Sequence, residues 1–286
     1  LLRVFRRFHT LVQEKFKGEA GFVGALDKAC RKFINDNAIT RAANSTSKSP
    51  ELLAKYVDSL LKKGSSKVPP EAMDQVTSDI LMVFKYIEDK DVFQSFYSKM
   101  LAKRLIHGTS VSEELEESMI TKLRNTCGYE YTAKLNRMYT DMSLSRELLT
   151  KHGSGKNDFT ILVLATGSWP LQPPATNFTL PPELQLMQDA FQSFYHGQHS
   201  GRKLNWLHQL SKGDLMATCF ASNGTKPAAA STSTSPASVP STTMYTLQAS
   251  TYQMGILLMF NNVESLSLED IQNATQLTDA AVESTL

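Results

Sequence analysis

His196 and His199 stand three residues apart, a spacing at which one helical turn can offer two imidazoles to a metal ion. No carboxylate or thiol lies within several residues to complete the set, so a surface pair is the plainer reading. Gly155-Lys156 ends like a phosphate loop, but Thr150 sits where the first glycine belongs and Asn157 replaces the Ser or Thr. The apolar strand also follows this tract instead of preceding it. Cys127 lies on the apolar side of a helix and reads as core. Glu113, Glu114, Glu116 and Glu117 gather near a helix N-terminus, where carboxylates complement the helix dipole, and read as a solvated face. No G-x-S-x-G, H-E-x-x-H or G-x-G-x-x-G tract occurs, so neither a catalytic constellation nor a metal or cofactor site emerges. What remains is basic: Lys99 and Lys103, at i and i+4, form a small positive row whose plain reading is a solvated face.

That row rides on an amphipathic helix. At 100° per residue, Phe93, Phe96, Tyr97, Met100, Leu101 and Leu105 share one broad face. Arg104 falls among them, so it must snorkel to water or meet a buried acid. Around this element the first half reads as successive helices. The stripes are Val4 to Phe16, Phe22 to Phe33, Leu52 to Leu61, Val76 to Ile87, and Leu115 to Leu123 behind a Ser112 cap. Residues 41–49 read as a loop, with Ser49 capping a helix whose first residue is Pro50. A shorter pattern carries Leu135, Met138 and Tyr139. Antiparallel helices with short connections predict a bundle.

Gly153-Ser154-Gly155 marks a change of character. Phe159, Thr160, Ile161, Leu162, Val163 and Leu164 form a run apolar on both faces, which predicts a central strand covered on each side. Pro181-Pro182 opens a helix through Phe194, and residues 202–207, 215–220 and 245–249 read as strands. Residues 252–260, 268–276 and 279–286 read as helices that begin a winged-helix unit. Residues 222–243 hold no large apolar side chain except Val239 and predict a disordered surface insert. The predicted fold class is therefore α+β, mostly α: a helical bundle, then a small α/β sheet domain, then the winged-helix start.

Hydrophobic residues are 41% and charged residues 20% of the 286, ordinary for a globular chain with two or three cores. A formal charge of +2 argues against a general nucleic-acid or membrane surface. No apolar run approaches the roughly 20 residues that span a bilayer. Three cysteines without a CxxC make a zinc module or disulfide framework a poor reading and suit a reducing compartment. The chain opens on Leu1 and stops at Leu286 inside patterns, like a piece of something longer.

As a string of letters, residues 84–106 (FKYIEDKDVFQSFYSKMLAKRLI) closely resemble the signature of the cullin homology region. Further blocks in the same order resemble it too: residues 21–30, residues 47–54, Gly167 to Pro170, residues 200–207 and residues 247–254. Among cullins the likeness is strongest to the first subclass, the scaffold of SCF ubiquitin ligases. The resemblance implies a non-catalytic scaffold for ubiquitin-dependent degradation in cytoplasm and nucleus. Residues 1–40 would end the last cullin repeat, 41–152 would hold a four-helix bundle, and 157–250 would receive a strand from a RING-box protein. Residues 251–286 would be an incomplete winged-helix start. By strand addition, Phe159 to Leu164 are the expected pairing segment for the RING-box protein. Lys99, Lys103 and Arg104 are the expected basic surface for a ubiquitin-conjugating enzyme. A cullin exchange factor is a further partner the likeness admits. The adaptor-binding repeats and the lysine that is modified in the winged-helix domain would lie outside this chain. The rival readings are a structural helical-repeat protein without a RING partner, a nucleic-acid binder using residues 268–286, and a hydrolase. The second lacks a basic recognition helix and the third lacks a visible nucleophile–base pair.

Overall fold

The computed structural model describes residues 2–65, 68–153, 159–174, 176–220 and 242–286. The expected insert lies outside the described residues from 222 to 241, as do Gly155, Lys156 and Asn157. The chain divides into two compact units, Leu1–Leu171 and Gln172–Leu286.

Unit 1 is helical: α1 (Leu2–Lys15), α2 (Ala20–Asn35), α3 (Ala38–Ala42), α4 (Lys48–Leu61), α5 (Met73–Lys85), α6 (Lys90–Ile106), α7 (Glu113–Cys127) and α8 (Tyr129–His152). One core joins α4 to α8. Phe84, Phe93, Tyr97, Leu101, Leu123 and Met138 are all buried to the last per cent or so. Phe84 and Phe93 meet with ring centroids 4.9 Å apart, and Phe93 stacks on Tyr97 at 5.7 Å. Each such side chain contributes about 1.5–3 kcal/mol of burial. A smaller cluster of Cys30, Ile34, Tyr86 and Ile87 joins α2 to the end of α5.

Local chemistry sets the helix limits. The Ser112 hydroxyl accepts from the Leu115 amide and caps α7 as expected. Ser49 does not cap α4: the helix starts at Lys48, and the Ser49 hydroxyl donates to the Ile34 carbonyl at 2.6 Å. Helix α8 is far longer than its apolar pattern, because neither Gly nor Pro interrupts residues 129–152. It stops at Gly153, whose left-handed backbone (φ 76°) lets its amide return to the Leu149 and Thr150 carbonyls.

Unit 2 holds α9 (Pro182–Gln198), the antiparallel pair β1 (Lys212–Phe220) and β2 (Thr242–Ser250), then α10 (Thr251–Met259), α11 (Leu268–Thr275) and α12 (Asp279–Thr285). Residues 242–243, assigned to the insert on composition, form the first residues of β2. The register runs from Lys212 opposite Ser250 to Phe220 opposite Thr242. Residues 202–207 are not a strand. Trp206 turns instead to α9, where its indole donates to Gln192 at 3.1 Å and its ring meets Phe191 edge-on. Ile256, Ile271, Leu277 and Val282 make the core of the last three helices, and Ser267 with Asp270 forms a reciprocal cap on α11.

Candidate partner-docking site

Lys99 and Lys103 are exposed on α6, and neither has an ion-pair partner among the described residues. Arg104 must be removed from that basic row. It is 1% exposed, since its helical phase points it into the bundle. Its Nε and Nη2 donate to the two carboxylate oxygens of Glu116 at 2.6 and 2.9 Å, and its Nη1 donates to Asp58. The Ser110 hydroxyl donates to the same Glu116 at 2.8 Å, and the guanidinium lies 5.6 Å from the Tyr97 ring centre. Burial alone pulls the Arg104 pKa down; the hydrogen bond and charge of Glu116 outweigh it and raise the pKa, so the group stays charged. Glu116 therefore leaves the solvated acidic face as well, being fully buried. The network binds α4, α6 and α7 with one bidentate pair.

The segment expected as a central strand takes a different form. Residues 159–165 pair with no strand among the described residues, and they pack on unit 1. Two polar side chains of α8 hold them. Ser145 accepts from the Val163 amide at 2.8 Å and donates its own proton back along α8 to the Asp141 carbonyl at 2.7 Å, with the Val163 carbonyl a longer contact at 3.3 Å. Asp141 accepts from the Ala165 amide at 2.7 Å and from the Trp169 indole at 2.9 Å, while Arg137 pairs with its other oxygen at 3.0 Å. Asp141 and Ser145 are four residues apart on a helix, about 6 Å. Val163 and Ala165 are two apart, about 6.6 Å in an extended chain. The match of these two repeats explains why residues 163 and 165 both find α8.

Alternation then sorts the rest of the segment. In an extended chain successive amides point to opposite sides, so Thr160, Leu162 and Leu164 turn theirs away from α8. No hydrogen bond reaches those three amides among the described residues, nor those of Phe159 and Ile161, so α8 holds the segment at Val163 and Ala165.

Among the described residues of unit 2, the two-stranded sheet has no third strand on either edge. Met216 and Met244 project from one face, 70% and 59% exposed, and Tyr245 and Leu247 from the other. Helix α10 covers the Lys212–Ser250 end, where Ala249 is buried and Met254 lies against Gly213. The rest of the pair stands open, an arrangement that is marginal in water without further cover. His196 is exposed and His199 packs its ring on Tyr195; among the described residues no three His, Cys, Asp or Glu groups come together for a metal. Cys127 is half-buried against the bundle core, as expected.

The order of these elements, bundle then tethered segment then small sheet, has counterparts. Residues 1–149 match the profile of the cullin alpha solenoid domain, and residues 163–286 match that of the cullin alpha+beta domain. The chain belongs to the cullin family. It is 57% identical to Cullin-1 of Dictyostelium discoideum along its whole length, covering 36% of that protein. Cullin-1 of Schizosaccharomyces pombe is 42% identical over 97% of the chain, and Cell division control protein 53 of Saccharomyces cerevisiae 37% over 97%. In both cases 34% of the relative is covered, so the chain spans about a third of the length of these cullins. The cullin alpha+beta match begins at Val163, yet residues 163–171 pack with the helical unit.

The sequence reading missed Asp141, Ser145 and Glu116. All three continue buried stripes of their helices: Met138, Asp141 and Ser145 on α8, and Glu116, Met119, Ile120 and Leu123 on α7. A polar residue in phase with a core stripe was the available signal.

Proposed function

We propose that this chain is the part of a cullin scaffold that holds a RING-box protein for ubiquitin transfer. The observation that carries the reading is the one-sided tethering of residues 163–165, which leaves the segment before them unpaired among the described residues. Val163 and Ala165 are satisfied by α8, while Thr160, Leu162 and Leu164 have amides with no partner among the described residues. A strand laid along the outer side would take those groups by β-augmentation. Phe159 to Leu164 remain the pairing segment, with the even-numbered residues as the paired set. The exposed hairpin of β1 and β2 is a second surface that such a partner covers.

The scaffold's contribution is positional. It holds the RING subunit, and through it a ubiquitin-conjugating enzyme, at fixed distance and so raises effective concentration. Lys99 and Lys103 supply a positive row for an acidic segment of that enzyme. The test is co-expression of residues 1–286 with a RING-box protein followed by size-exclusion chromatography. A stable stoichiometric complex is expected. A folded chain that never co-elutes would leave the RING-free structural protein as the better reading.

A further inference from the structure

A hollow of about 360 Å³ opens between α2, the α3–α4 connection and the turn before α6. Its basic wall is Lys28, Arg31 and Lys32, three exposed cations on one face of α2 at i, i+3 and i+4. None of the three has an ion-pair partner among the described residues. Of the acids on the rim, Asp36 is already engaged: Arg41 donates to it at 2.6 Å, and that hydrogen bond, with the charges of Arg41 and Lys32, holds its carboxyl below the usual range. Glu88 lines the hollow without such a cation. Asn35 is fixed on the floor, donating to the Tyr86 carbonyl at 2.8 Å and accepting from the Glu88 amide at 3.2 Å.

The remaining wall is Thr46, exposed in the short connection between α3 and α4. Its hydroxyl donates to Asp89 Oδ2 at 2.9 Å. Ser45 and Ser47 flank it but do not line the hollow. We propose that Thr46 is a phosphorylation site and that Lys28, Arg31 and Lys32 receive its phosphate. A protein kinase would supply the group from ATP. The Oγ1–P bond forms, the bond from the γ-phosphorus to the β–γ bridging oxygen breaks, ADP leaves and the hydroxyl proton is released. The modified side chain then has no proton for Asp89 and carries a charge of about −1.5 to −2. Like-charge repulsion drives it from Asp89, and three cations without a close ion pair, Lys32 sharing its field with Asp36, line the hollow. The modification thus exchanges a tie between the α3–α4 connection and the start of α6 for one to α2.

The test begins with the 286-residue chain carrying phosphothreonine installed at position 46, followed by 31P NMR through a pH titration at low salt. The second phosphate pKa should fall about half a unit below that of a phosphothreonine peptide of residues 41–51, an exposed-site fraction of the shift an opposite charge produces. It should return to the peptide value in the Lys28→Ala/Arg31→Ala/Lys32→Ala variant, whose helical circular dichroism stays unchanged. An unshifted or raised pKa overturns the proposal, since Glu88 and Asp89 would then dominate the phosphate. In a second arm the unmodified chain is titrated with inorganic phosphate. Binding there, with no pKa shift on phosphothreonine 46, makes the hollow a site for free phosphate and overturns Thr46 as the source. A third arm treats the unmodified chain with ATP and purified Ser/Thr kinases and maps sites by mass. Phosphate on Ser45 or Ser47 but never on Thr46 removes the modification half of the inference.

Discussion

Replacing Glu116 by alanine strands a buried guanidinium. Arg104 is 1% exposed and gives Glu116 two of its hydrogen bonds; the Ser110 hydroxyl gives it a third. Removing one member of a buried pair costs about 3–5 kcal/mol. Arg104 keeps Asp58, whose side chain is 26% exposed, so the low end applies. The orphaned Ser110 adds about 1 kcal/mol. A loss of about 3–4 kcal/mol is expected in unit 1. At a urea slope of roughly 2 kcal/mol/M, the midpoint drops by about 1.5–2 M. The chain holds two tryptophans, Trp169 in unit 1 and Trp206 in unit 2, so a Trp206→Phe background makes fluorescence report unit 1 alone. The partner experiment is Arg104→Met with Glu116→Leu, which removes both charges and should return stability to within about 1 kcal/mol of the parent. A single variant costing under about 1 kcal/mol would refute the reasoning. So would a double variant no better than the single one.

Leu162→Pro should abolish co-elution with a RING-box protein yet leave Trp169-reported stability nearly unchanged, because the lost amide faces away from α8. Val163→Pro should instead lower that stability by about 1–3 kcal/mol through the lost bond to Ser145, and equal behaviour of the two would sink the alternation argument. Lys99→Glu with Lys103→Glu should slow association of a conjugating enzyme with an acidic segment by about tenfold at low salt, the effect fading at high salt, with stability moving by less than about 0.5 kcal/mol. Gly255→Ala places a Cβ 2.8 Å from the Phe178 ring, which is hemmed by His208 and Tyr252, so unit 2 should lose about 1–3 kcal/mol by Trp206 fluorescence. Burial lowers the His208 pKa below 6.5. As pH falls through 6.5 the unfolded chain takes up a proton that the folded chain declines, so unit 2 weakens on acidification. His208→Phe should flatten that slope in urea midpoints measured between pH 7.5 and pH 5.

Helix positions were legible because their signals are local. Ser112 and Gly153 act within a turn of themselves, and the stripe from Phe93 to Leu105 needs only its own periodicity. Arg104 was legible in part: its phase demanded a buried acid, but the partner hid in a run of four glutamates. The strand-like run 159–164 carries the composition of a covered strand, yet its backbone is met by Ser145 and Asp141, which no β pattern encodes. Residues 202–207 failed for a related reason. Trp206 prefers the aromatic face of α9, a contact between elements that alternation along one element does not register. Lys99 and Lys103 stay exposed on α6, while Arg104 of the same helix is turned by its phase into the bundle.

The hairpin ladder closes with Phe220 opposite Thr242, so the ends of the intervening chain are delivered one strand spacing apart, about 5 Å. Closing 21 residues there rather than two costs about 2 kcal/mol, and doubling them again about 0.6 more. At so small a cost per added residue, an experimenter can seat a fluorescent domain or epitope between Phe220 and Thr242 as a reporter on the sheet beside it.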